Sequence, residues 1–129
     1  LQNKYKKVME REQRCEEIFL DDARIIIVAY GTMARIAKAA VNKLRQKGVK
    51  AGLIRPITLW PFPSSAFLRK SEKAKKRAVF LVVEMSYGQM VEDVLLSVNG
   101  RCGVKFIGRS GGGVPTEEDI INKAFRLVH

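Results

Sequence analysis

The stretch Asp21–Val41, DDARIIIVAYGTMARIAKAAV, decides the fold. Ile25 to Val28 is an unbroken apolar run, β-branched at every position, and it closes on Gly31. Such a run reads as a strand buried on both faces, which demands cover from two layers. Directly after it, Met33, Ala37, Ala40, Val41 and Leu44 fall on one helical face, with Arg35, Lys38, Lys43 and Arg45 opposite. Gly48 stops that helix where a left-handed residue is expected. A strand followed at once by an amphipathic helix is the repeating unit of a parallel α/β sheet.

Outward from this unit the pattern recurs. Gly52–Pro63, GLIRPITLWPFP, opens as a second strand and ends as a loop. Pro56 lacks an N–H to donate, so pairing should end there or continue at an edge. Pro61 and Pro63 hold the loop extended, and Pro63 is placed to be the first residue of the helix SSAFLRKSEKA. Arg77–Ser86, RAVFLVVEMS, is the third strand. A helix is expected from about Gly88, burying Val91, Val94, Leu95 and Val98, with Glu92 and Asp93 favourably placed in its first turn. VKFIGR reads as a fourth strand and SGGGVP as a loop. Thr116 and Asp119 then have capping-box spacing before a last helix that buries Ile120, Ile121, Ala124 and Val128. Residues 1–22 read as a lead-in helical segment with a loose stripe of Tyr5, Val8, Met9 and Ile18, and residues 23–129 as one compact α/β domain.

The chain has 129 residues, 47% of them apolar, and a formal net charge of +11. This is enough apolar material for one core, and no apolar stretch is long enough to cross a membrane. The charged start is unlike a signal peptide, and with no initiator methionine the sequence reads as a piece of a longer protein. The positive charge gathers in Lys4, Lys6, Lys7, Arg11 and Arg14 and again in Arg69–Arg77, RKSEKAKKR. Neither run is interleaved with aromatics that stack on bases, which argues against nucleic acid and for solvated faces or an acidic partner. Cys15 and Cys102, the only cysteines, read as free thiols in a reducing cytoplasm, and alone they cannot ligate zinc or an iron–sulfur cluster.

Ligands of open α/β sheets bind beyond the carboxyl ends of the strands. Four loops share that edge: AYGTM with Gly31 and Thr32, RPITLWPFP with Trp60 and Phe62, EMSYGQM with Glu84, Met85, Tyr87 and Gln89, and GRSGGGVPT with Gly111, Gly112 and Gly113. The three glycines before a helix could cradle an anion, or simply let the backbone pass close to another surface. They lack the GK[ST] ending of a phosphate-binding loop, and AYGTM lacks the spacing of a dinucleotide fingerprint. Glu84 at a strand end could act as a general base, accept backbone N–H bonds, or pair with Arg55 or Arg109; the structural roles are favoured for a lone carboxylate. The single histidine, His129, is terminal, and Ser86 has no nucleophile-elbow spacing, so no catalytic residue is assigned.

Taken together, IIIVAYGTMARIAKAAV, GLIRPITLWPFP, FLVVEMSYGQMVEDV and GRSGGGVPTEEDI resemble the C-terminal domain of the α subunit of 2-oxoacid:ferredoxin oxidoreductases, in this order and over the whole chain. The resemblance implies a three-layer α/β/α sandwich of the transketolase C-terminal type, with a mostly parallel five-stranded sheet. The residues supply four strands, so a fifth short one is expected near the last helix or within residues 57–62. The family's activity would be cytoplasmic oxidative decarboxylation of a 2-oxoacid, with the 2-oxoisovalerate type as first choice, giving an acyl-CoA and passing electrons to ferredoxin. By the same resemblance the full complex holds thiamine diphosphate, magnesium and iron–sulfur clusters. These sit in the N-terminal domain of the α subunit, the β subunit and a ferredoxin-like subunit, and none in this domain. The domain's own role would then be architectural, with Trp60, Phe62, Met85, Tyr87 and Gly111–Gly113 as a docking surface; the other reading of Trp60 is that it caps the domain's own core. A free-standing anion- or nucleotide-binding module using the Gly111–Gly113 loop is the alternative.

Overall fold

The computed structural model describes residues 14–57, 62–74, 77–85, 89–108 and 114–128. Among these residues five strands and four helices follow one another: β1 (Cys15–Ile18), β2 (Ile25–Val28), α1 (Thr32–Gln46), β3 (Ala51–Pro56), α2 (Ser64–Ala74), β4 (Val79–Val83), α3 (Gln89–Val98), β5 (Gly103–Ile107) and α4 (Glu117–Val128). The strands lie in the order β1-β3-β2-β4-β5. All neighbours are parallel except β1, which runs antiparallel along β3.

The reason for two helical layers is visible in β2. All four of its residues are 0% exposed, and successive side chains enter opposite cores. Ile25 and Ile27 join Leu53, Leu81 and Val83 under α1 and α4; Ile26 and Val28 join Ile54, Phe80 and Val82 under α2 and α3. The expected α1 stripe, Met33, Ala37, Ala40, Val41 and Leu44, is buried as a set. Gly48 follows the helix at φ +86°, the left-handed conformation that ends it. At α4, the Thr116 hydroxyl accepts from the Asp119 N–H at 3.2 Å and the Asp119 carboxylate accepts from the Thr116 N–H at 2.9 Å, a reciprocal cap.

Several expectations need correcting. The lead-in segment ends as a strand rather than a helix: Cys15–Ile18 is the fifth strand, placed at the sheet edge and not near α4. An edge strand needs only one ladder partner, so CEEI can pair without an apolar run. Its acids are met by cations of the body, Glu16 by Arg55 at 3.5 Å and Glu17 by Arg69 at 3.7 Å. Pairing of β3 ends at Pro56 as expected, with the Ile57 N–H reaching Arg14 one step beyond. Helix α2 begins at Ser64, so Pro63 precedes it. On α3, Met90 is buried and Leu95 is 50% exposed, because Met90 lies four residues before Val94 and Leu95 sits a hundred-degree step away.

Two cations assigned to solvated faces turn inward. Arg45 donates to the Ala51 carbonyl at 2.7 Å, the Phe19 carbonyl at 2.9 Å and both oxygens of Asp22, and it stacks 4.9 Å from the Phe19 ring centre. Its hydrogen bonds hold the Asp22 carboxyl below its ordinary range. Lys70, inside the basic run, is buried and donates from Nζ to the Leu20 carbonyl. Burial first, then the neighbouring Lys73 ammonium, push Lys70 below the ordinary lysine range. The short connector between β1 and β2 is thus clamped from both helical layers.

Gly52 is what lets the connector lie flat on β3. A Cβ there would meet the Phe19 carbonyl oxygen at 2.9 Å and the Ala23 Cβ at 3.0 Å. Gly52→Ala is therefore expected to cost about 1–3 kcal/mol, as overpacking does. A urea melt with a lowered midpoint and unchanged slope checks it; an unchanged midpoint refutes the close approach.

Candidate functional site

The chain leaves β2 to one side for β3 and later returns past it to β4, so the direction of winding reverses between β2 and β4. In open α/β sheets that reversal leaves a crevice at the carboxyl ends of the two strands. Here the crevice is walled by Ala29–Thr32 from β2 and by Glu84 and Met85 from β4.

Gly31 turns the chain from strand into helix at φ +61°, with open space where a side chain would be. Its glycine serves the backbone conformation and not a close approach. Thr32 opens α1, and its hydroxyl donates to the Met85 thioether at 3.4 Å, the direct link across the crevice. Met85 is itself 46% exposed.

Glu84 is 0% exposed and faces the first turn of α3. Its Oε1 accepts the Met90 N–H at 2.7 Å and its Oε2 the Val91 N–H at 3.1 Å. A carboxylate at a helix start satisfies donors that have no intrahelical partner and sits at the positive end of the dipole. Of the readings open in the sequence, the acceptor of backbone N–H groups is the one the structure shows. Arg55 pairs instead with Glu16. Gln89 supplies the first residue of α3. Phe62 turns inward, its ring stacked on Phe67 at 5.2 Å and 19°. Trp60, Tyr87, Arg109 and Gly111, Gly112 and Gly113 lie outside the described residues.

The same edge carries exposed apolar side chains that were not singled out in the sequence. Ile57, just after β3, is 56% exposed, and Val114, before α4, is 39% exposed. Their signal was available: each is an apolar residue in a loop, Ile57 directly beyond a strand end and Val114 shortly before a helix. Among the described residues there is no group of three His, Cys, Asp or Glu side chains able to hold a metal ion. Cys15 is half-buried at one sheet edge and Cys102 buried beside β5 at the other. Burial pushes both thiols above their ordinary range, with Glu17 adding to the effect at Cys15. Two cysteines at opposite sheet edges do not make up the four thiolates of an iron–sulfur cluster.

The family described as "Pyruvate:ferredoxin oxidoreductase core domain II" matches residues 23–120. The chain belongs to this family. A ketoisovalerate oxidoreductase subunit VorB from Methanothermobacter marburgensis is 46% identical over 95% of this chain and 34% of the relative. A 2-oxoglutarate synthase subunit KorA from the same organism is 37% identical over 80% of this chain and 27% of the relative. The chain therefore spans about a third of the length of the curated relatives it matches. Among solved structures, a 2-oxoglutarate:ferredoxin oxidoreductase from Magnetococcus marinus superposes with a TM-score of 0.77 at 22% identity, covering 98% of this chain and 22% of the other. A split-gene transketolase, an inactive β4 tetramer, gives 0.64 at 18% identity over 86% of this chain and 40% of the other. At those identities the structures establish the fold alone, the expected transketolase-type α/β sandwich.

Glu84→Gln keeps one acceptor but turns an NH2 group toward the helix and removes the charge. It is expected to cost about 1–2 kcal/mol. A thermal or urea melt of the variant checks this, and an unchanged melt would deny Glu84 its capping role.

Proposed function

We propose that this chain is a structural and interface domain of a thiamine-diphosphate-dependent 2-oxoacid:ferredoxin oxidoreductase, noncatalytic in isolation. The observation that carries the reading is the make-up of the carboxyl edge. Its strand-end carboxylate, Glu84, is buried and engaged as a helix cap, while Ile57, Met85 and Val114 expose apolar surface on neighbouring loops. Apolar groups exposed to water around an engaged carboxylate suit a protein contact better than a reaction centre. Membership of the oxidoreductase family supplies the rest, and disfavours a free-standing anion- or nucleotide-binding module.

In this reading the edge meets the N-terminal domain of the same α subunit, the β subunit and a ferredoxin-like subunit. Trp60, Tyr87 and the Gly111–Gly113 turn complete the docking surface, whereas Phe62 packs into the domain's own core, stacked on Phe67. In the same reading, thiamine diphosphate, magnesium and iron–sulfur clusters belong to those other parts of the complex. When bound there, thiamine diphosphate supplies the carbanion chemistry that decarboxylates a 2-oxoacid. This domain contributes the rigid edge on which the partners seat: the Glu84 cap fixes the start of α3, and the Thr32–Met85 contact fixes the crevice. The substrate is 2-oxoisovalerate, supported by the higher identity to the ketoisovalerate relative than to the 2-oxoglutarate one. The complex works in the cytoplasm with CoA and ferredoxin as co-substrates.

The natively purified protein, with whatever accompanies it, is expected to reduce a viologen dye with CoA and 2-oxoisovalerate faster than with pyruvate or 2-oxoglutarate. No activity with any of the three in a cofactor-loaded complex would refute the proposed substrate class. Trp60→Ala in the intact enzyme is expected to weaken subunit assembly, read by native mass spectrometry, while the melt of the isolated chain stays within about 1 kcal/mol of the parent. An unfolded isolated variant would mean that Trp60 belongs to the domain's own core.

A further inference from the structure

All four helices start at the carboxyl edge, so the opposite edge of the sheet is free of helix N-termini among the described residues. There a cleft of about 920 Å³ opens between the β1–β2 connector and α2. Cations come from both of its walls. Arg24 and Lys50 lead into β2 and β3, Arg69 and Lys73 project from α2, Arg77 precedes β4, and Lys70 is the buried one.

The acids in the cleft offset only part of this charge. The lining holds six cations against four acids, Glu17, Asp21, Asp22 and Glu72. Asp22 is held by Arg45 from outside the cleft, and Glu17 meets Arg69 at 3.7 Å, which leaves Asp21 and Glu72 against the other five cations. Arg24, Lys50, Lys73 and Arg77 take part in no salt bridge among the described residues. Lys73 alone would complement the negative end of α2, so the helix dipole does not account for Arg24, Lys50 or Arg77. A surplus of like charge in one cleft raises the energy of the free chain, and a ligand of opposite charge relieves it.

We propose that this cleft docks an acidic polypeptide segment of a partner protein, as a second contact surface distinct from the carboxyl edge and independent of the oxidoreductase reading. Charge complementarity selects carboxylates, and the topology selects a polypeptide over a phosphate. Phosphate sites draw on helix N-termini and glycine-rich turns, and here the carboxyl end of α2 lines the cleft through Lys73 and Ala74. A carbonyl-rich helix end repels a compact dianion. It suits a peptide, which brings N–H donors along with its spaced carboxylates.

The test is fluorescence anisotropy of a labelled hexaglutamate peptide with the full chain, run at low and at moderate salt. Saturable binding that weakens with salt is expected, as for any contact between exposed charges. Lys50→Glu with Arg77→Glu is expected to weaken it about tenfold or more, while Arg35→Glu with Lys38→Glu, an equal charge change on α1, leaves it within about twofold. Both pairs are exposed; should the reversal unfold the chain, Arg24→Gln with Lys73→Gln gives the same reading. Equal weakening by the two charge reversals would overturn the proposal as a net-charge effect. A labelled hexauridylate that binds more tightly than the peptide and is lost in the same cleft variant would also overturn it, making the cleft a nucleic-acid site.

Discussion

Strand β2 is the constraint on which the rest of the structure depends. Its residues are fully buried, and it is hydrogen-bonded on both sides, to β3 and to β4, in the same direction. Burying one such aliphatic side chain is worth about 1.5–3 kcal/mol, against about 0–1 for an exposed ion pair, so this interior rather than the heavy surface charge selects the fold. Parallel neighbours cannot be joined by tight turns, and the connecting helices have to divide between the two faces to cover both sets of side chains. From that division follow the reversal of winding and the crevice between β2 and β4. The place where the chain presents Thr32, Glu84 and Met85 is thus a consequence of four aliphatic residues elsewhere in the strand.

A second layer of order comes from polar groups that reach into this frame. Arg45 from α1 and Lys70 from α2 lie on opposite sides of the sheet, yet they bind the successive carbonyls of Phe19 and Leu20. Each carbonyl is met by a cation on a long stem, at the exposed Phe19 and at Leu20, whose carbonyl also accepts the Ala23 N–H at 3.2 Å. Gly52 completes the arrangement by leaving room beneath.

How much of this was legible follows from the kind of signal each residue gives. The β2 run, the α1 stripe, the Gly48 stop and the Thr116–Asp119 cap are local patterns, and periodicity or spacing reveals them directly. Strand β1 was not legible, since CEEI has no apolar run and acquires its partner only when β3 is present. Arg45 and Lys70 were read as solvated because helical spacing gives the direction of a side chain at its root, while a long stem can carry the charge back toward the body. At the candidate site, the strand-end position of Glu84 and its structural role could be read from its place before a helix. The Thr32–Met85 contact joins residues 53 apart in sequence and could not.

The antiparallel pairing of β1 also has a consequence for how the chain is made. Cys15 pairs with Pro56 and Ile18 with Leu53, so β1 leaves the ribosome well before the strand it needs exists. Until β3 emerges, its backbone has only water as a partner. A strand in that position cannot be a sticky apolar one without inviting the wrong neighbour on a crowded polysome. Two adjacent glutamates keep it soluble during the wait, and the same glutamates meet Arg55 and Arg69 once the rest of the sheet has arrived. The polarity that hid this strand from a reading of the sequence is what protects it during synthesis.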